Sequence, residues 1–386
     1  MKSFSKRTAH IQSAIFSDLA VRKNTLLAAG KPIIDLGIGS PDLSPPLHVI
    51  TALKHALNNP DAFGYADTRG SISFRSQAAQ FLAKRYGVHV DFETEILSLM
   101  GAQDALSHLP LALIDPLDVV LIPDPGYPIY ETSVYLAGGI PVRMPCLEKN
   151  HFLPDLAAID HDLLKKTKMM VLNYPGNPLA TLAPPAFFSE VIDFAKRHDI
   201  IVIHDAAYIE LVYANKSAPS FLAYKGAKDV GIELHSFSKT FNMAGPRIAF
   251  AAGNKDILQA LYLIKSNIDY GVFPAVQEAA VSALINHDEH IDKLRHIYQE
   301  RRDAFLLPLH KAGWHITKPD ATMFIWAKIP TLESSRTFTF RLMDEANVIC
   351  VPGVAFGPIG EQYVRFALVK PTNELSDAAS RIAEII

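Results

Sequence analysis

Residues Gly231-Ile-Glu-Leu-His-Ser-Phe-Ser-Lys-Thr-Phe-Asn-Met-Ala-Gly-Pro-Arg247 set the reading of the whole chain. A short strand-like run, 231–234, gives way to a polar cluster, His235-Ser-Phe-Ser-Lys239, with Gly245 and Arg247 close behind. The same unit recurs upstream. Val119-Val-Leu-Ile122 precedes Asp124-Pro-Gly-Tyr-Pro128, and Met169-Met-Val-Leu172 precedes Asn173-Tyr-Pro-Gly-Asn-Pro178. Ile200-Ile-Val-Ile203 precedes His204-Asp-Ala-Ala-Tyr208. Helical stretches such as 186–197 lie between several of them. Strands alternating with helices imply a mostly parallel sheet. In such sheets ligands bind outside the carboxyl ends of the strands. All four polar clusters fall on that side, so they are expected to converge.

The chemistry of the quoted stretch centres on Lys239. A free lysine has a pKa of about 10.4, and its amine attacks a carbonyl only once the proton is gone. A Schiff-base lysine therefore needs a pocket that lowers this value, through burial and a nearby cation such as Arg247. Ser236 and Ser238 offer hydroxyl donors, and Arg247 is a fork of donors matched to a phosphate. A Schiff-base lysine bracketed by phosphate donors is what pyridoxal phosphate requires. Taken alone, the string suits a surface lysine in a serine-rich turn equally well.

Composition narrows the field. The chain has 386 residues, 49% hydrophobic and 20% charged, with a net charge of -3. That is ordinary globular composition. With no basic block, nucleic-acid binding has no electrostatic support. The N-terminal 1–7 stretch is polar and no apolar run follows it, so neither a signal peptide nor a membrane span is expected, and the cytoplasm is the expected compartment. Cys146 and Cys350 are expected as buried, reduced thiols.

Outward from the centre, 1–30 reads as a polar arm followed by a helix. Ile33-Ile-Asp-Leu-Gly-Ile-Gly-Ser-Pro-Asp42 then breaks at two glycines, which let backbone N–H groups approach a ligand. Helices are expected over 47–57 and 71–86. A strand over 95–100 enters a small-residue turn, Gly101-Ala-Gln-Asp-Ala-Leu106, and a helix over 105–113. Free N–H groups at such a helix start suit a phosphate. A further strand is expected at 248–252, helices over 256–266, 273–285 and 290–307, and alternating short elements from Trp314 onward.

The set Asn177, Asp205-x-x-Tyr208, Ser236-x-Ser-Lys239 and Gly245-x-Arg247, in this order, resembles the fold-type I pyridoxal-phosphate aminotransferases, class I/II of the aspartate aminotransferase superfamily. The likeness runs from about Gly37 to Arg365. It implies an α/β fold, with a large domain built on a mostly parallel seven-stranded sheet flanked by helices and a smaller α/β domain made from both chain ends. Residues 1–45 would be the N-terminal arm and part of the small domain, 46–285 the large cofactor-binding domain and 286–386 the small domain.

The resemblance also implies roles. Lys239 would hold pyridoxal 5'-phosphate as a Schiff base and later move the proton at the substrate Cα. Asp205 would pair with the pyridine nitrogen. Asn177 and Tyr208 would hydrogen-bond the ring's phenolic oxygen, and Tyr127 would stack on the ring. Ala102, Gln103, Ser236, Ser238 and Arg247 would hold the phosphate, with Tyr65 reaching it from the neighbouring subunit of a homodimer. Arg365 would grip the substrate α-carboxylate bidentately, with Gly39 and Asn177 beside it. Without the resemblance, Asp205 reads as a helix N-cap, Asn177 as turn chemistry, Tyr127 and Tyr208 as packed aromatics, and Arg365 as an exposed strand arginine. Many members carry an aromatic residue where this chain has Pro246, and a glycine where it has Ala249.

The implied reaction is ping-pong amino transfer from an α-amino acid to a 2-oxo acid such as 2-oxoglutarate. Lys265-Ser-Asn-Ile-Asp-Tyr-Gly271 and the 236–243 segment resemble the LL-diaminopimelate and alanine aminotransferase branch, with aspartate, aromatic amino acids and methionine as further donors. Two other readings compete: a β-carbon–sulfur lyase using the same cofactor, and a non-catalytic ligand-binding module of the kind attached to DNA-binding units. No metal site is expected. His287 and His290 read as two histidines on a solvated helix face.

Overall fold

The computed structural model describes residues 5, 7, 14–213 and 216–386, so most of the expected polar arm lies outside the described residues. Twelve strands are described, in chain order: β1 (Ile34–Asp35), β2 (Ile96–Leu99), β3 (Val119–Asp124), β4 (Ile140–Pro145), β5 (Thr167–Leu172), β6 (Ile201–Asp205), β7 (Gly231–Ser236), β8 (Ala249–Gly253), β9 (Phe324–Lys328), β10 (Val348–Ile349), β11 (Val351–Pro352) and β12 (Tyr363–Ala367).

Seven of them form one sheet in the order β2-β8-β7-β6-β5-β3-β4. Its strands run parallel except β8, which is antiparallel to both β2 and β7. The fold is α/β, as the alternation implied. Strands buried on both faces read as continuous apolar runs, and β3 and β7 are buried along their whole length. One core, with Leu121, Met170, Val202 and Phe250, covers one face of the sheet, and a second, with Val120, Val171, Ile203 and Leu234, covers the other.

A third core, containing Phe305, Trp314, Phe338 and Phe366, joins the two chain ends. There β1 pairs parallel with β10, and β11-β12-β9 make an antiparallel sheet. The 24-residue Asp288–Lys311 helix packs against Thr372–Ala383 in this part of the molecule.

Several boundaries differ from expectation. The clusters do not simply follow their strands: β6 runs through Asp205 and β7 through Ser236, so both polar residues end a ladder. Asp205 is therefore not a helix N-cap. Strand β4 was not foreseen, because Ile140-Pro-Val-Arg-Met-Pro145 is a half-exposed edge strand with a proline at each end of its apolar stretch, the position where proline is tolerated. The helix after Gly101 begins at Ala102, three residues before the apolar run. Ser71 caps the Ile72–Tyr86 helix, its hydroxyl accepting the Phe74 N–H at 3.2 Å.

Candidate active site

The carboxyl ends of β3, β5, β6 and β7 open on one cavity of about 730 Å³. Strand β6 delivers Asp205 and the turn after it Tyr208. The β5 turn delivers Asn177, β7 ends in Ser236, and the short Phe237–Thr240 helix after it delivers Ser238 and Lys239. Tyr127 enters from the β3 turn, Ala102 and Gln103 from a helix start, Gly39 and Arg365 from the part that joins the chain ends. Every candidate residue except Tyr65 lines this one cavity.

Lys239 is mostly buried, and its Nζ donates to the Gly39 carbonyl at 2.6 Å. Burial pulls its pKa down to about 8, helped by the charges of Arg365 and Arg247. A neutral amine is thus accessible near neutral pH, as carbonyl chemistry requires. Gly39 allows this approach: a Cβ there would lie 2.6 Å from the Phe324 ring.

Asp205 is wholly enclosed. Its Oδ2 accepts from the Tyr130 hydroxyl at 2.7 Å and its Oδ1 from the Ala207 N–H at 3.2 Å. Burial raises its pKa, while those two bonds and His204 hold it down. A buried carboxylate raised this way gains from a protonated ring nitrogen beside it. Asn173 fastens the spot from behind. Its Nδ2 donates to the Asp205 carbonyl at 2.6 Å, and its Oδ1 accepts the Asn177 N–H at 2.8 Å.

Arg365 is buried, not an exposed strand arginine. It donates through Nη1 to Asn177 Oδ1 at 2.8 Å and through Nη2 to the Gly37 carbonyl at 2.5 Å. The rings of Phe324 and Phe356 lie 4.4 and 4.8 Å from its guanidinium carbon. Its Nε is buried without a partner, and burial lowers its pKa to about 10. An enclosed guanidinium with a spare donor calls for an anion.

The expected phosphate donors line the same cavity. Gly101, at φ 83°, starts the Ala102–Leu113 helix, and a Cβ there would come within 2.9 Å of Arg247 Cζ. Arg247 itself adopts φ 57° and donates Nη1 to the Ala244 carbonyl at 2.9 Å. Ser236 Oγ accepts the Ser238 N–H at 3.2 Å. The Tyr127 hydroxyl donates to Gln103 Oε1 at 3.3 Å. Helix-start N–H groups, two hydroxyls and a guanidinium fit a phosphate. Together with the depressed amine and the buried carboxylate, the residues present fit a phosphorylated pyridine aldehyde.

Tyr65 stands apart. It is 94% exposed, and its ring lies 5.5 Å from that of Tyr270. Tyr130, Asn173, Phe324 and Phe356 were not foreseen; no local motif marks them. His287 and His290 do not share a solvated face. His287 is 2% exposed, with Nδ1 against the Leu284 carbonyl at 2.8 Å, and His290 is half-buried against Phe241. The two cysteines are free and buried. Among the described residues, the single cluster with metal-ligand spacing is Asp104, His108 and Asp269, where the Lys265 ammonium already pairs with both carboxylates.

The family model for aminotransferase class I and II matches residues 31–382. The LL-diaminopimelate aminotransferase of Aquifex aeolicus is 41% identical over 387 residues, covering 100% of both chains. The substrate-bound BacF structure from Bacillus subtilis superposes with a TM-score of 0.95 at 38% identity, covering 100% of this chain and 98% of that one. A probable N-succinyldiaminopimelate aminotransferase from Thermus thermophilus superposes with a TM-score of 0.92 at 36% identity, covering 97% of this chain and 100% of that one.

Proposed function

The chain belongs to the class I and II aminotransferases, and from that premise we propose that its amino donor is LL-diaminopimelate and that its reacting groups are those gathered in the 730 Å³ cavity. Amino transfer from an amino acid to a 2-oxo acid follows from the family, which also implies pyridoxal phosphate. Neither the lyase nor the binding-module reading gains support from these relatives. The donor rests on the name of the Aquifex aeolicus relative.

The observation that carries the residue assignment is the meeting of Lys239, Asp205 and Arg365 in one cavity. Pyridoxal phosphate, when bound, supplies an aldehyde that takes up the amino group and a ring that withdraws electrons from the substrate Cα. Ala102, Gln103, Ser236, Ser238 and Arg247 would hold its phosphate. Asp205 would keep the proton on the ring nitrogen, with Tyr130 fixing the carboxylate. Asn177 and Tyr208 would donate to the phenolic oxygen, and Tyr127 would cover the ring face. Arg365, Asn177 and Gly39 would orient the substrate by its α-carboxylate, which sets the Cα–H toward Lys239. Lys239 Nζ would take the proton from Cα and return it at the cofactor's aldehyde carbon.

Three further readings belong to this proposal. Tyr65 would serve a partner subunit's site, supported by the exposed cluster of Phe63, Tyr65, Tyr270 and Phe273, which suits burial against a second copy. The proposed division into 1–45, 46–285 and 286–386 is supported by a core that joins Ile34 and Leu36 to residues from Leu294 onward, with Ala207, Tyr208, Leu211 and Tyr213 also entering it. The cytoplasm is the proposed compartment, on the ordinary globular composition. Among the described residues no helix is long and apolar enough to cross a membrane.

The test is a spectral half-reaction. Cofactor-loaded protein is offered LL-diaminopimelate, alanine and aspartate singly, and the absorbance of the cofactor and the oxo acid released are followed. Conversion by LL-diaminopimelate ahead of the others is the expected result. A protein that converts with none of them, or that releases ammonia with no oxo acid required, overturns the reading.

A further inference from the structure

The cavity is lined by six charged side chains among the described residues: Asp205, Lys239, Arg247, Arg365, Lys23 and Asp35. The first four have roles in the reading above. Lys23 and Asp35 do not, and they lie together. Lys23 Nζ donates to Asp35 Oδ2 at 2.7 Å, with side-chain exposures of 33% and 19%. Asp35 Oδ1 accepts the Gly37 N–H at 2.8 Å, and the Gly37 carbonyl in turn takes Arg365 Nη2 at 2.5 Å. The pair is thus two hydrogen bonds away from the arginine assigned to the α-carboxylate.

The wall that carries the pair is otherwise apolar. Phe16, Leu19, Ala20 and Lys23 recur at helical spacing on one face of the Ala14–Ala28 helix, and Ile38 and Ile349 complete the lining there. Apolar surface beside the α-carboxylate arginine suits an aliphatic stem, and an ion pair in that wall suits a charged head at the stem's far end. Lys23 uses one of its three N–H donors on Asp35, and each Asp35 oxygen retains a lone-pair site.

Sign decides which head fits. A lone carboxylate meets Lys23 but is repelled by Asp35, and a lone ammonium meets the reverse. A head carrying both charges engages both partners, carboxylate to Lys23 and ammonium to Asp35. We infer that Lys23 and Asp35 read the distal end of the donor and select a free amino-acid head group over a plain carboxylate or an N-acylated amine. This rests on the reading of the cavity as the aminotransferase site, and it deepens the choice of donor: LL-diaminopimelate has such a head, glutamate has a bare carboxylate, and N-succinyl-LL-diaminopimelate has lost its distal ammonium.

The experiment measures half-reaction rates of cofactor-loaded wild type, Lys23→Met and Asp35→Asn with LL-diaminopimelate, N-succinyl-LL-diaminopimelate, glutamate and alanine. Asn at 35 still has an oxygen to accept the Gly37 N–H, so the local turn is retained. In Lys23→Met the rate ratio of LL-diaminopimelate to alanine should fall about 10–100-fold, the size of one charge-assisted bond to substrate. In Asp35→Asn the ratio of LL-diaminopimelate to its N-succinyl form should fall about 10-fold or more, and glutamate should gain on both. If both variants lower all four donors in parallel, the pair merely fastens helix to strand and the inference fails. Unchanged ratios defeat it equally. A wild type that ignores diaminopimelate but whose preference still shifts with distal charge in the variants keeps the inference and defeats the proposed donor.

Discussion

Arg365 and Asn177, which both line the cavity, are joined by a 2.8 Å hydrogen bond from Nη1 to Oδ1. This bond orients a guanidinium that two phenyl rings flank and whose Nε has no partner among the described residues. An arginine so fixed presents its fork without further ordering, which is what bidentate carboxylate binding needs.

Arg365→Lys should therefore not behave as a conservative change. The ammonium cannot reproduce the fork, and a buried charge-assisted contact is worth about 2–4 kcal/mol, or roughly 30–1,000-fold in kcat/KM. Steady-state kinetics with any donor checks this. Because every donor shares the α-carboxylate, the loss should be uniform across donors. A loss confined to one donor would move Arg365 to side-chain recognition.

Lys239 should titrate as an outlier. Its pKa sits at about 8, lowered by burial first and then by Arg365 and Arg247. Trace acetylation of cofactor-free protein, quantified peptide by peptide, should show half-maximal labelling of Lys239 near pH 8, while exposed lysines follow the ordinary value of about 10.4. The folded-state value is depressed, so the native state binds fewer protons than the unfolded chain between those two pH values. Its burden on stability is full below pH ~8 and fades as pH rises toward ~10.4. Lys239→Ala should remove that burden, keep the fold, and lower turnover by at least about 10⁴-fold. Normal turnover in that variant would remove Lys239 from the chemistry.

The alternation of strand and helix was legible because its signals are local: apolar runs of strand length, each ending in polar residues at the same side of the sheet. Lys239, Asp205 and Arg247 were legible only through their order and spacing in the set that resembles the family, since each short string taken alone suits an ordinary turn or cap. Tyr130 and Asn173 were not. Tyr130 meets Asp205 across 75 residues of sequence and Asn173 meets it across 32, and both contacts exist only once β3, β5 and β6 are side by side. Strand β4 stayed hidden because an edge strand has no need of a continuous apolar run. The burial of His287 depends on Phe81, which packs against it from a distant helix at 5.0 Å.

Asp124 should make stability fall between pH 4 and 6. It ends β3, accepts the Ile359 N–H at 3.3 Å, and lies 3.9 Å from Arg143. Burial raises its pKa to about 6, with Arg143 and the Ile359 N–H opposing. Unfolded, it ionises near about 3.9. Between those values the native state holds a proton that the unfolded chain has released, so stability declines as pH rises through the window, by about 3 kcal/mol in all. Asp124→Asn stays neutral and can still accept the Ile359 N–H. Urea unfolding at pH 4 and pH 7 should show the variant gaining on wild type by about that amount at the higher pH. A pH-independent difference would mean that Asp124 ionises normally in the fold.

Tyr65 does not line its own chain's cavity and stands exposed beside Tyr270. If it completes a partner's phosphate site, two impaired variants should repair each other. In a mixed dimer of Lys239→Ala and Tyr65→Ala, one site carries both defects and the other carries neither. Equal mixing after reversible dissociation gives half mixed dimers, each with one intact site, so activity should rise to about a quarter of wild type above the sum of the two parents' residual contributions. Lys239→Ala alone contributes almost nothing, which makes the gain easy to read. Sites built entirely within one chain would give only the average of the two homodimers, and no exchange time or mixing ratio would lift the activity beyond it.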